Sequence, residues 1–166
     1  MRKSKKLLVG CSLAASSLVI SGCGNSEVVS NEDLSIASIN SSADEKTLVD
    51  LVEAWEESTG EVCDPYELYL GTSRAQEGVL CDTSSSFLWI FPSASEVKLE
   101  LNDRDHSAQK FSEISNKDPR PNLVGPNWLV SVREDENWGL QVSADDVHKK
   151  MQDKLGGVFV VASDSE

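Results

Sequence analysis

Five successive apolar residues, Phe87 to Phe91 in "SSFLWIFPS", are bounded by serine on one side and proline on the other. A run this short, rich in aromatic and β-branched side chains, reads as a strand buried on both faces. Such a strand belongs inside a sheet, so the flanking segments are read for what could pack with it.

Upstream, "SADEKTLVDLVEAWEESTG" places Leu48, Leu51, Val52 and Trp55 at helical spacing. Ser42 with Glu45 three residues later has the form of a capping box, and Gly60 is suited to the left-handed conformation that stops a helix. The opposite face carries Asp50, Glu53, Glu56 and Glu57, the pattern of a solvated helix face. Downstream, Ser93 and Glu96 repeat the capping pattern ahead of a helix using Val97, Leu101, Ala108 and Phe111. Val97, Leu99 and Leu101 also alternate as a strand would, so this element stays open between the two.

Three prolines in "SNKDPRPNLVGP" make a loop that leads into a strand over "NWLVSV", in which Trp128 fits the core. Ser143 and Asp146 cap a last helix bearing Val147, Met151 and Leu155. Gly156 and Gly157 end it, and "VFVV" reads as a final strand. Mixed helices and strands of this length, with no internal repeat, predict one α+β domain over residues 44–166. The expected architecture is a two-layer sandwich, a mostly antiparallel sheet with helices on one face.

Cys63 and Cys81 are expected to form a disulfide. They lack the Cys-x-x-Cys spacing of a redox pair and have no nearby histidines for a metal site. Closing a loop of about 20 residues stabilises a domain by about 3 kcal/mol in the chain-entropy model.

The amino terminus accounts for why that pairing is permitted. "MRKSKK" carries four cations and precedes the apolar run Leu7 to Ile20, which is shorter than the roughly 20 residues a spanning helix needs. This is the pattern of an export signal. The residues Ile20, Ser21, Gly22 and Cys23 resemble a bacterial lipobox. That resemblance implies acylation of the Cys23 sulfur, cleavage before Cys23 and removal of residues 1–22. Two or three acyl chains, each buried methylene contributing about 0.8 kcal/mol, would hold the mature protein on the membrane. Residues 23–43, small and polar with scattered acids, read from their place after Cys23 as a flexible tether.

The whole chain has a formal charge of −13. Losing residues 1–22 removes four cations and no anions, which makes the mature protein −17. Such a charge excludes a nucleic-acid role, which needs a basic face. The layout of lipobox, Ser-rich tether, "VCDP", "VLC", "GPNWLV" and terminal "LGGVFVV" is similar to small lipoproteins of actinobacteria. The resemblance implies an extracytoplasmic, membrane-anchored location and carries no activity with it.

No phosphate loop, nucleophile elbow, zinc motif or calcium loop occurs, and no cofactor or metal ligand set is expected. The mature chain has two histidines. His106 lies with Asp103 and Asp105 in "DRDH", the grouping closest to a metal pattern, and His148 lies beside Lys149 and Lys150. Trp138 in "REDENWGL", between acids and a glycine, is the candidate ligand-binding aromatic. The sequence thus points to a lipid-anchored, non-enzymatic binding or interaction module, with envelope proteins or cell-wall components as partners. The alternatives are an envelope hydrolase whose site is scattered in sequence and an antagonist of a secreted protein.

Overall fold

The computed structural model describes residues 28–63, 65–68, 74–81, 86–115, 121–132 and 143–161, with backbone alone at 65–68, 108–115 and 144. These residues form seven strands and four helices in the order β1 (Val28–Ser30), α1 (Ile36–Ser42), α2 (Leu48–Thr59), β2 (Pro65–Leu68), β3 (Glu77–Cys81), β4 (Ser86–Ile90), α3 (Ala94–Ser115), β5 (Asn122–Gly125), β6 (Trp128–Val132), α4 (Ala144–Leu155) and β7 (Val158–Val161). One sheet has the order β1-β7-β5-β6-β4-β3-β2. Every neighbouring pair is antiparallel except β1 and β7, which run parallel. The domain is α+β with a mostly antiparallel sheet.

The apolar run is strand β4, paired with β3 on one side and β6 on the other. Successive side chains of a strand point to opposite faces, and β4 shows what that demands. Leu88 and Ile90 join a core with Leu51, Trp55, Val147 and Met151 of α2 and α4. Trp89 and Phe91 join a second core with Ile39 of α1 and Val97 and Leu101 of α3. Helices therefore cover both faces, where the sequence reading placed them on one. A central strand apolar at every position cannot leave either face in water.

The second difference concerns residues 28–43. Read from composition as tether, they are folded: β1 pairs with β7, and Leu34 and Ile39 are buried in the second core. Ser35 caps α1 by accepting from Ser38 N–H. Leu34, Ile36 and Ile39 among small polar residues make too sparse a pattern to announce a helix, and it is α3 and the sheet that supply its partners.

Helix α2 starts later than Ser42 suggests. Ser42 ends α1, its hydroxyl donating to Ile39 O, while Thr47 accepts from Asp50 N–H and Asp50 from Thr47 N–H in a reciprocal cap. Gly60 ends the helix with φ 77°, as its position implied. Helix α3 is resolved in favour of helix: Val97 and Leu101 are buried and Leu99 is 42% exposed, a split that strand alternation would not produce. Ala108 and Phe111, also expected in its core, lie outside the described side chains. Ser143 caps α4 as expected, accepting from Asp146 N–H.

Strands β2, β3 and β5 were not read from the sequence. β5 and β6 form a hairpin around Pro126 and Asn127, with Leu123 opposite Val130 and Gly125 opposite Trp128. Trp128, fully buried, lies against both Gly125 and Gly157, and a Cβ at Gly157 would come 2.5 Å from Val124 O and 2.7 Å from Trp128 Cη2. These glycines are where backbone makes room for an indole ring.

Candidate functional site

The expected pair is joined: Cys63 and Cys81 form a disulfide with Cα atoms 4.9 Å apart, both residues buried. It ties the segment leaving α2 to β3. Glu56 Oε1 accepts the Cys63 N–H at 2.9 Å, which fixes that segment against the helix.

The acidic face of α2 is largely occupied by such structural work. Asp50 completes the helix cap, and its two hydrogen bonds from Thr47 hold its carboxyl below the ordinary value. Glu56 secures Cys63, and Glu57 pairs with Lys154 of α4. Among the described residues no three His, Cys, Asp or Glu side chains converge as a metal site.

On the other face of the sheet, polar side chains of α3 grip the turn after β1. Asn31 is buried; its amide donates to Asn102 Oδ1 at 3.0 Å and Asp105 Oδ2 at 2.6 Å. Lys98 Nζ donates to Asn31 Oδ1 at 2.8 Å and to Asn31 O. Burial lowers the Lys98 ammonium's pKa, with Asp105 and Glu32 acting against that. Arg74 reaches α3 from the start of the β3 segment, donating to Asp103 Oδ2 at 3.0 Å and Glu96 Oε2 at 3.3 Å. Those bonds, with the Asp103 contact foremost, raise its pKa further.

The "DRDH" grouping is thereby taken apart. Asp103 pairs with Arg74, Asp105 accepts from Asn31, and His106 is exposed on α3. Between them Arg104 turns inward, its guanidinium 4.3 Å from the centre of the Trp89 ring and its Nε 2.8 Å from Glu100 Oε1. Phe87 stacks on Trp89 with ring centres 5.1 Å apart. A buried carboxylate is costly unless paired, and Arg104 supplies the pairing while covering an indole face.

His148 is buried on α4, and its Nε2 accepts the Val132 N–H at 3.3 Å. That bond fixes the imidazole against the backbone of β6. Its ring meets Phe159 edge-on at 5.8 Å. His106 and His148 belong to helices on opposite faces of the sheet, so one catalytic centre cannot use both.

Two sequence candidates, Cys23 and Trp138, lie outside the described residues. The sequence reading passed over Asn31, Lys98, Arg104 and Asn127, whose partners are all distant in the chain or on another turn of helix. No protein-family model, curated protein or solved structure matches the chain.

Proposed function

We propose that the mature protein is a lipid-anchored extracytoplasmic binding or interaction module, held to the outer face of the cell membrane through Cys23. The observation that carries this reading is the lipobox-like Ile20-Ser21-Gly22-Cys23 followed by a domain stapled by Cys63–Cys81. A structural disulfide suits an oxidising compartment, to which the export signal would deliver it. No helix among the described residues is long and apolar enough to cross a membrane, so an anchor at Cys23 would supply the attachment.

The binding role, rather than catalysis, is supported by how the reactive side chains are employed. Asp50, Glu56, Asp103, Asp105 and His148 each have a partner inside the fold. Envelope proteins or wall fragments are the proposed partners. The anchor is tested by intact mass of membrane-extracted protein and of its Cys23→Ser variant: diacylglycerol mass and membrane retention are expected for the first and neither for the second. The binding role is tested by thermal unfolding of the protein from Gly24 to Glu166 against wall fragments, sugars and basic peptides. A ligand at about 100 times its Kd stabilises by about 2.7 kcal/mol, a shift of several degrees. An envelope hydrolase would instead release product from wall fragments and lose that activity in His148→Gln.

A further inference from the structure

We infer that the anchored domain stands on the β1 edge of its sheet, with β1 toward the lipid surface and the β2–β3 edge directed away from it. The inference rests on the proposed acylation at Cys23 and adds an orientation to it.

Strand β1 is at one end of the strand order, and β2 and β3 are at the other. β1 is fastened to the domain: Val28, Val29 and Ser30 pair with Phe159, Val160 and Val161, and Asn31 N–H donates to Val161 O at 3.0 Å. The Asn31 side chain is gripped in turn by Lys98, Asn102 and Asp105. Folded structure therefore reaches to Val28, and only Gly24, Asn25, Ser26 and Glu27 separate it from Cys23. Five residue steps span at most about 18 Å when fully extended. An acylated Cys23 at the headgroup level keeps β1 within that distance of the surface. Strands lie about 4.8 Å apart, so β3, five places along, is about 24 Å from β1.

Reach alone would let the sheet lie flat, and charge decides against it. Helix α2 carries Asp50, Glu53, Glu56 and Glu57 and no cation of its own, Glu61 follows it, and Glu77 opens β3. α2 packs over β3 and β4, so these carboxylates lie toward the edge opposite β1, with Lys150 and Lys154 of α4 offsetting them only in part. β1 itself is uncharged, with Val28 about half exposed, and of the two acids in the turn after it Glu32 has Lys98 nearby. An anionic bilayer repels carboxylates most strongly within a Debye length of about 8 Å, so the acidic edge is driven outward while the short leash retains β1. The surface left to meet a partner is the β2–β3 edge with α2.

The test uses full-length acylated protein in phosphatidylglycerol vesicles with an acceptor dye on the lipid headgroup. Donor dyes are placed at Val28→Cys or Glu77→Cys under non-reducing conditions, where the disulfide leaves one reactive thiol. Strong energy transfer is expected from position 28 and weak transfer from 77. Inserting ten Gly/Ser residues after Ser26 is expected to reduce transfer from 28. Equal transfer from both positions, or no response to the insertion, overturns the orientation while leaving the anchor intact. Concentration-dependent transfer between two copies labelled at 28 also overturns it, because a second copy would then cover the β1 edge. Protein that lacks acyl mass and does not float with the vesicles overturns the anchor and the orientation together.

Discussion

The side-chain amide of Asn127 clasps the backbone of Lys46: Nδ2 donates to Lys46 O and Oδ1 accepts from Lys46 N, each at 2.8 Å. A tip residue of the β5–β6 hairpin thus takes the place of a strand neighbour for the segment between α1 and α2. Its own carbonyl accepts the Phe91 N–H at 2.7 Å, so three segments meet at one residue. Trp128 Nε1, next in the chain, donates to Asp44 O at 3.3 Å and extends the same join.

Asn127→Ala leaves both Lys46 groups without their partner in a half-buried setting. A loss of about 1–3 kcal/mol is expected, read by urea unfolding at constant m-value. Asn127→Asp keeps the acceptor for Lys46 N–H and turns the donor into an oxygen facing Lys46 O. It should fall at least as far as the alanine variant.

Gly157→Ala adds a methyl where Val124 O and Trp128 already stand, at a residue with φ 90°. Overpacking and left-handed strain together are expected to cost about 2 kcal/mol or more. Gly60→Ala meets no neighbouring atoms and carries only the backbone strain, so it should be the milder of the two. Parallel thermal melts would show whether space or conformation dominates.

Reduction of Cys63–Cys81, or the Cys63→Ala/Cys81→Ala double variant, is expected to lower stability by about 3 kcal/mol. Adding reductant should move the midpoint of the wild type and leave that of the double variant in place.

Asp50 has its carboxyl pKa lowered in the folded protein, first by the Thr47 backbone N–H and then by the Thr47 hydroxyl. A depressed carboxyl pKa contributes stability above the unfolded value near 3.8, and that contribution fades as pH falls through the folded pKa. Wild type should therefore exceed Asp50→Asn in midpoint at pH 6, with the gap narrowing below pH 4. Melts across that range check the sign.

Asn31→Ala removes the residue that joins β1's turn to α3. A loss of about 1–3 kcal/mol is expected, with faster amide exchange concentrated in residues 28–42. Exchange spread evenly over the sheet would instead mean that β1 and α1 open only with the whole domain.

Several elements were legible because their signals are local. The helix over 48–59 shows its apolar spacing and its stop at Gly60, and α4 shows its Ser143 cap. The disulfide was legible from cysteine usage. Strands β2, β3 and β5 were not, because short, interrupted runs such as "NLVG" are indistinguishable from loop until a neighbour pairs with them. Likewise "DRDH" suggests ligands only while its partners are unknown; Arg74, Asn31 and Trp89 come from 15 or more residues away in the chain.

By itself, the sequence determined the mixed helix and strand composition, the doubly buried strand at Phe87 to Phe91, the disulfide pair and the strongly acidic surface charge. These follow from periodicity, capping residues, cysteine usage and composition, which act over a few residues or on the chain as a whole. Only the tertiary structure decided that helices cover both faces and that residues 28–43 belong to the domain. It also decided that the carboxylates of α2 and α3 serve as caps, clasps and ion pairs. Each of those outcomes depends on which distant segment arrives to remove water from a side chain, and that choice is made by packing of the whole chain at once.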